Sequence, residues 1–559
     1  MQRPVVSELF SLLAKFGVRH VICSPGSRNA VLLMQAEAYP EMRKTVVVDE
    51  RCAAFVALGI AMVSQSPVAL VCTSGSAVFD YAPALAEACY QGIPLIVISA
   101  DRPYVWIDQD DSQTIRQFGA LANIVKAQYD LDGDRGEEDY IWYANRVVNE
   151  GLLKALDSKQ GPVHFNIHLN GDTAMEVSRN DDSRKIDVIT PPSRLSSETV
   201  KNLAREAAGK KIMLVAGFMP PDNKVQKAVA MLEELPNVCI MAETISNLHL
   251  PNEAYMVDTA LFKLSQKDLK ALAPDILISI GGALVSRRLK EFLRSNPPAR
   301  HWSLSCSDNL IDCFRALTLK MECREAPFLQ TLAKMMKRLE KGGGKEDSYR
   351  NEWLKIRKAT IGDPLSRPWS DLLALKMVFD ALPQDANLFL SNGTSVRYAQ
   401  ILPYRLTHAT YSNRGVSGID GCTSTAVGGA LVYDKLTCLV TGDMSFCYDL
   451  GGLGTRLAPP RMRIVVLDNG GGDIFRFISA TKNLAIREKY LSARQELSVE
   501  ALADAFGWEY FYADSPESLN TELEEFFSDT LLPAILHVDT SRSPNAEILT
   551  QFLSGEKNP

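Results

Sequence analysis

Short Val/Ile/Leu runs alternate with longer helical patterns from one end of the chain to the other, and this alternation leaves few folds open. PVALVCTSG, SAVFDYAPALAEACYQG and IPLIVISADRP, spanning 67–103, read as strand, helix and strand. Strands apolar on both faces must be covered on both, and strands separated by a helix run parallel. The pattern therefore specifies the α/β class, with open parallel sheets. It recurs in KIMLVAGFMPPDN and DILISIGGALVSRRLKEFL, and again in NLFLSNGTSVR, LTCLVTGDMSFCYDL, RIVVLDNGGG and PAILHVDTSRS. The 559 residues exceed what one core supports, and ~150 residues per domain gives about three. TPPSRLSSE at 190–198 and EKGGGKEDS at 340–348 read as linkers. They mark off three α/β domains, 1–190, 191–348 and 349–559.

A net charge of −7 without a long basic run gives no footprint for nucleic acid or an anionic membrane surface. No apolar stretch approaches the ~20 residues of a membrane span, and the start MQRPVVSELFSLLAKFG is amphipathic (Val6, Leu9, Phe10, Leu13) and broken by charges. The expectation is a cytoplasmic protein. Its eleven cysteines are scattered singly with no C-x-x-C, which points to buried free thiols rather than disulfides or a zinc site.

The chemistry concentrates in VLDNGGGDIF, 466–475. Three glycines let backbone N–H groups approach a phosphate closely, yet Asp468 and Asp473 would repel one. No Lys-Ser/Thr pair follows, so this is not a Walker loop. A cation between acid and phosphate removes the contradiction. LTCLVTGDMSF places Asp443 at the end of one apolar strand, and 26 positions later (469 − 443) the next ends at Asn469. Successive parallel strands would bring both to the sheet edge where ligands gather. An aspartate oxygen, an asparagine carbonyl and a free main-chain carbonyl make a hard oxygen set suited to Mg²⁺. Singly, GD and DNGG are ordinary turns; together, at this spacing, they favour the cation. In TVVVDERCAAFVALGIAMV, Glu50 lies where an apolar strand gives way to an apolar helix, and is expected to be buried. An acid favoured by the helix dipole is the plainer account of such a residue.

Gly442-Asp443 followed by Asp468-Asn469 resembles the thiamin diphosphate binding motif, with DN where the family usually has NN. The resemblance implies that Asp443, Asn469 and the Gly471 carbonyl hold Mg²⁺, or Mn²⁺, which grips the diphosphate. It implies that Glu50 hydrogen-bonds the aminopyrimidine, where burial would raise its pKa toward the range useful for proton transfer. The three domains become pyrimidine-binding, central Rossmann-like and diphosphate-binding. Because the two cofactor halves usually bind to different subunits, a homodimer is the minimum, with a homotetramer left open.

SPGSRN (24–29), VDERCAAFVALG (48–59), TSGSAV (73–78), ISADRP (98–103), SQTIRQ (112–117), YSNRGVSGIDG (411–421) and GDMSF (442–446) are together similar to the 2-succinyl-5-enolpyruvyl-6-hydroxy-3-cyclohexene-1-carboxylate (SEPHCHC) synthase family. The match spans both outer domains and is weaker through the middle. It implies decarboxylation of 2-oxoglutarate and 1,4-addition of the succinyl carbanion equivalent to isochorismate, in menaquinone biosynthesis. Ser27, Arg28, Arg102, Ser112, Gln113, Arg287, Arg288, Arg397 and Arg414 would then touch substrate. Ile419, Ser445, Ile474 and Phe475 would line the cofactor, with Phe475 and Ile478 facing the reacting carbons.

The arginines agree with this on physical grounds. One arginine on a turn is usually a solvated charge, but six at strand ends suit two dianionic substrates, since guanidinium forks bind carboxylates bidentately. Another thiamin diphosphate-dependent enzyme, a 2-oxoacid decarboxylase or an acetohydroxy acid synthase, would need fewer, and in many cases a flavin in the middle domain. A nicotinamide oxidoreductase finds no clean G-x-G-x-x-G after any strand. An inactive cofactor-binding homologue is disfavoured by retention of Glu50 with the metal pair. The chain departs from the family pattern at Arg287, where lysine is frequent, at Gly393, where a serine often touches substrate, at Ser112, often asparagine, and at Asp468. The seven histidines (20, 164, 168, 249, 301, 408, 537) fall outside the motifs and are expected to be structural.

Overall fold

Three all-parallel sheets carry the chain in a computed structural model that describes residues 3–174, 176–189, 194–251, 257–339, 348–360, 362–402, 409–454, 457–494, 496, 498–529 and 532–555. Part of the first expected linker, 190–193, and most of the second, 340–347, lie outside these residues, as does His408. The first sheet comprises β1 (His20–Cys23), β2 (Arg43–Val46), β3 (Val68–Cys72), β4 (Leu95–Asp101), β5 (Ala127–Asp132) and β6 (Val163–His168), in the order β2-β1-β3-β4-β6-β5. The second has β7 (Ile212–Ala216), β8 (Val238–Ala242), β9 (Ile276–Ile280), β10 (Arg300–Leu304) and β11 (Leu319–Met321), ordered β11-β10-β9-β7-β8. The third has β12 (Asn387–Leu390), β13 (Thr410–Tyr411), β14 (Thr437–Gly442), β15 (Met462–Asp468), β16 (Glu509–Ala513) and β17 (Ala534–Asp539), ordered β13-β12-β14-β15-β17-β16. The first and third sheets thus share one strand order.

The inner strands β3, β4, β6, β7 and β12 bury every residue. This is what sheets covered on both faces require. The strand expected before Glu50 differs. β2 is an edge strand, and Val46 and Val48, which read as core, are 62% and 76% exposed. The eleven cysteines are all free and seven are buried.

One apolar cluster joins the first and third sheets, with Phe55, Ala57 and Leu58 from the helix Glu50–Ser64 packed among Ala426, Val427, Leu439 and Ile464. Between these sheets the helices Glu50–Ser64 and Cys422–Ala430 cross closely, because Gly59, Gly428 and Gly429 remove the side chains that would hold them apart. The two outer α/β units are therefore one packed body.

In the central sheet, strand order reverses beside β7, so a dinucleotide would enter between the turns after β7 and β9. Those turns bond to one another: Gly282 N–H donates to the Phe218 carbonyl at 2.6 Å, and Phe218 N–H to Ala283 at 3.2 Å. This closure disfavours the flavin and nicotinamide alternatives. No helix among the described residues is long and apolar enough to cross a membrane.

Candidate active site

β14 and β15 pair in register with Gly442 beside Leu467, so Asp443 and Asn469 emerge together at the carboxyl edge of the third sheet. Asp443 opens the helix Asp443–Tyr448; one oxygen accepts the Met444 N–H at 2.8 Å and the other the Gly471 N–H at 2.7 Å. Burial pushes its carboxyl up to about 6, the Asp468 charge adds to this, and the two N–H donors oppose it. Asn469 donates its amide N–H to Asp371 at 2.8 Å, whereas its Oδ1 is buried with no hydrogen-bond partner among the described residues. An orphaned buried acceptor beside a buried carboxylate is what a cation site looks like before the cation is added. Gly470 and Gly471 have φ of 77° and 111°, and a Cβ on Gly471 would stand 2.2 Å from the Ser492 carbonyl. Only glycine can form this turn.

One detail differs from the sequence reading and another adds to it. The Gly471 carbonyl is not free: it accepts the Asp473 N–H at 2.7 Å, leaving one lone pair for a metal. Asp468 has both carboxylate oxygens engaged within the protein: one accepts the Gly470 N–H at 3.1 Å and the other pairs with His537 Nε2 at 3.2 Å. His537 in turn meets the Tyr510 hydroxyl at 3.0 Å. Among the described residues no three His, Cys, Asp or Glu side chains could share a metal, and the set found here has only one such residue, Asp443.

Ile474, Phe475 and Ile478 stand half-exposed beside the glycine turn. Ser445 donates to the Ile419 carbonyl at 2.7 Å, pinning the YSNRGVSGIDG loop to the helix that begins at Asp443. The other end of that loop is held by Glu87, which is 2% exposed and accepts the Gly415 N–H and, at 2.7 Å, the Val416 N–H.

The arginines fall into two groups. At the third sheet's edge, Arg414 is 8% exposed, donates to Asn392 Oδ1 at 2.7 Å, and keeps a buried Nε without a partner among the described residues. Arg397 donates to the Gly393 carbonyl. Burial and the neighbouring Arg414 push Arg397 down to about 10, against the pull of Asp258 and Glu243. Arg288 stacks over Phe262, 4.2 Å from the ring centre, near Asp258. Arg287 stands apart, exposed and paired along its own helix with Glu291 at 2.7 Å. Gly393 has φ of 99° with open space where a Cβ would go, so the backbone itself disfavours serine there.

At the first sheet's edge, burial and the adjacent Arg102 lower the Arg28 pKa. Arg102 donates to the Ser112 carbonyl at 2.6 Å and pairs with Asp111 at 3.3 Å. Ser27, Ser112 and Gln113 are exposed on this edge. Beneath it runs a buried network that sequence reasoning missed. Gln117 joins the Gly75 N–H, the Ala100 carbonyl and Asn166, while His168 links the Arg102 carbonyl to Asp130. The signal was present in SQTIRQ, whose last residue is fully buried. Also missed were Glu243, a buried acid facing Arg414, and Asp258, a partly buried one facing Arg397 and Arg288.

Glu50 is half-buried rather than buried. Helix capping is done by Asp49, which accepts the Cys52 N–H at 3.1 Å, so Glu50 is spared that role. Burial, Asp80 and Asp49 all raise its pKa. Its neighbours Arg51 and Cys52 reach Tyr448 and Asp449 at 3.1 and 3.4 Å, but the charges acting on Glu50 come from the first third alone.

Residues 5–120 match the family described as thiamine pyrophosphate enzyme, N-terminal TPP binding domain. The chain is similar to the 2-succinyl-5-enolpyruvyl-6-hydroxy-3-cyclohexene-1-carboxylate synthases of Porphyromonas gingivalis, with 39% identity over 99% of this chain and 98% of the relative, and of Flavobacterium johnsoniae, with 34% over 98% of each. It is 33% identical to the synthase of Bacteroides thetaiotaomicron, again over 98% of each chain.

Proposed function

The chain belongs to the SEPHCHC synthase family of thiamin diphosphate enzymes, and from that premise we propose that it decarboxylates 2-oxoglutarate and adds the four-carbon remainder to isochorismate, a step of menaquinone biosynthesis. The observation that carries the substrate assignment is the pairing of arginines. Arg397 with Arg414 and Arg28 with Arg102 each hold like charges together in partly buried positions, which depresses a pKa in each pair. Acids stand near each pair, yet Arg28 and Arg414 each keep a buried Nε without a hydrogen-bond partner among the described residues, and a substrate carboxylate would supply one with bidentate geometry. A monocarboxylate such as pyruvate would leave most of them unsatisfied.

When bound, thiamin diphosphate supplies the nucleophilic carbon and electron sink that loss of CO₂ from a 2-oxoacid requires. Asp443, the free Oδ1 of Asn469 and the Gly471 carbonyl would hold Mg²⁺, or Mn²⁺, against the diphosphate. Glu50 would hydrogen-bond the aminopyrimidine ring, its raised pKa suiting a carboxyl that shares a proton at neutral pH. Ile419, Ile474 and Phe475 would exclude water beside the reacting carbons, with Ile478 next to them. Arg28, Arg102, Arg288, Arg397 and Arg414 would orient the substrate carboxylates, with Ser27, Ser112, Gln113 and Arg287 at the rim.

A homodimer at minimum completes this reading. The charges that act on Glu50, Asp80 and Asp49, both belong to the first third, and exposed Val46, Val48, Val416 and Tyr448 offer apolar surface for a second copy. A cytoplasmic location suits the small soluble substrates. The test is CO₂ release from 2-oxoglutarate by the purified chain with thiamin diphosphate and Mg²⁺, followed by isochorismate consumption. Efficient turnover of pyruvate in place of 2-oxoglutarate would defeat the substrate assignment.

A further inference from the structure

Asp371 lies almost a hundred residues before the metal corner, yet its side chain is fully buried against it. It opens the helix Asp371–Ala381, whose first turn is already capped by the Ser370 hydroxyl. Helix capping therefore does not explain the carboxylate. One oxygen accepts the Asn469 amide N–H at 2.8 Å and the other the Thr540 hydroxyl. The Asp371 main-chain N–H donates to Asn545 Oδ1 at 2.8 Å, and Asn545 Nδ2 donates to the Thr540 carbonyl at 3.2 Å. Thr540 N–H closes the circuit on the Asp468 carbonyl at 2.9 Å, next to Asn469 in the chain.

An asparagine side chain has two ends of nearly equal size, and only the oxygen can bind a cation. Whatever fixes the amide fixes the ligand. We propose that Asp371 is the positioning residue for Asn469: by accepting at Oδ2 it can face only the NH₂ end, which turns Oδ1 toward the metal. Thr540, itself held by Asn545, keeps the Asp371 carboxylate from rotating away. The inference rests on the reading of Asn469 as a Mg²⁺ ligand, and it extends the site to a residue on a separate element.

Removing such a support for a ligand lowers metal affinity by ~10–100-fold. The test uses the full chain and calorimetric Mg²⁺ titration at saturating thiamin diphosphate. Asp371→Asn, which can present either end of its own amide, should raise the Mg²⁺ Kd by ~10–100-fold, leaving the melting temperature of the metal-free chain unchanged. A merely structural role predicts the reverse pattern, an altered melting temperature with unaltered Kd, and overturns the proposal. The second arm places Asp371→Asn in an Asn469→Asp background. A carboxylate has oxygen at both ends and needs no orienting, and Asp371 beside it becomes a like charge, so the loss of affinity caused by Asp371→Asn should vanish or reverse there; an undiminished loss rejects positioning. Should Asp371→Asn fail to fold, Thr540→Val releases the same clamp, and an unchanged Kd in that variant counts against the proposal. If the parent chain shows no Mg²⁺-dependent binding of thiamin diphosphate, the proposed function fails and this inference with it. Parent binding with an unaffected Asp371→Asn variant defeats this inference alone.

Discussion

Gly59 packs against the main-chain carbonyl of Thr425, so that a Cβ on Gly59 would stand 1.9 Å from that oxygen. The contact is reciprocal, since a Cβ on Gly428 would stand 2.1 Å from the Val56 carbonyl. The crossing fixes the unit that carries Glu50 against the unit that carries Asp443. In an ordinary helix Gly→Ala gains ~1 kcal/mol. Here overpacking opposes that gain by ~1–3 kcal/mol or more, because backbone cannot step aside as a side chain can. Gly59→Ala should therefore lower the urea midpoint and melting temperature. Gly136→Ala, where a Cβ meets nothing within 4 Å, should leave both unchanged. Stabilisation by Gly59→Ala would contradict the close crossing.

The arginines should rank by environment. Arg397→Ala and Arg414→Ala remove paired, partly buried guanidiniums and should each lower kcat/KM by ~10²-fold or more. Arg288→Ala, which loses a cation stacked on Phe262, should cost about tenfold. Arg287→Ala breaks only an exposed i,i+4 pair with Glu291 and should change kcat/KM by less than about threefold. Steady-state kinetics with both substrates reads the order directly. An Arg287 effect as large as that of Arg397 would mean that its helix rearranges on binding.

Much of this was legible in the chain. Apolar strand runs of four to seven residues such as LIVISAD and MRIVVLD announce a parallel sheet, and both strands lie where the pattern put them. The Asp443–Asn469 spacing led correctly to adjacent parallel strands because register is fixed by burial on both faces. What stayed hidden was long-range. TVVV is equally apolar whether central or at an edge, and only strand order decides that Val46 is exposed. Asp371 and Asn469 are 98 residues apart, so no local pattern links them. Arg287 and Arg288 are chemically identical in sequence and diverge only because successive helical positions point about 100° apart.

Glu50→Gln tests proton handling separately from binding. The amide keeps the size of the side chain but cannot share a proton as the carboxyl does, and the loss of acid–base assistance is worth ~10²–10⁴-fold in rate. Turnover should fall by that range, while thiamin diphosphate affinity, measured calorimetrically with Mg²⁺, stays within about tenfold. Undiminished turnover would remove Glu50 from the mechanism.

His168 should give the protein a pH dependence on the alkaline side. Burial disfavours its charge, but the bonds to Asp130 and the Arg102 carbonyl, with the Asp130 and Asp101 charges, raise its pKa to about 9 from an ordinary 6.5. A raised folded-state value means that the stabilisation is complete below pH ~6.5 and is lost as pH rises through about 9. The loss should be on the order of 1–3 kcal/mol across that window. His168→Gln should flatten this part of the stability curve in urea titrations from pH 6 to 10. Since the same histidine holds the Arg102 carbonyl, the variant should also raise KM more than it lowers kcat. A stability profile identical to the parent's would place the proton elsewhere.

Mg²⁺ and thiamin diphosphate together should stabilise the chain, and acid should weaken that effect. A ligand at a hundred times its Kd adds ~2.7 kcal/mol to a fold that alone binds it. Here the metal would also satisfy the buried Oδ1 of Asn469, which has no partner among the described residues. Asp443, raised to about 6 by burial, must be ionised to ligate. Protons therefore compete with metal below pH ~6, and the apparent Mg²⁺ Kd should rise by up to ~10-fold per pH unit there. Above that pH it should be nearly level. Thermal melts with Mg²⁺ and thiamin diphosphate against excess chelator, repeated from pH 5 to 8, measure both effects. A stabilisation that survives chelation, or a Kd independent of pH through 6, would move the ion away from Asp443.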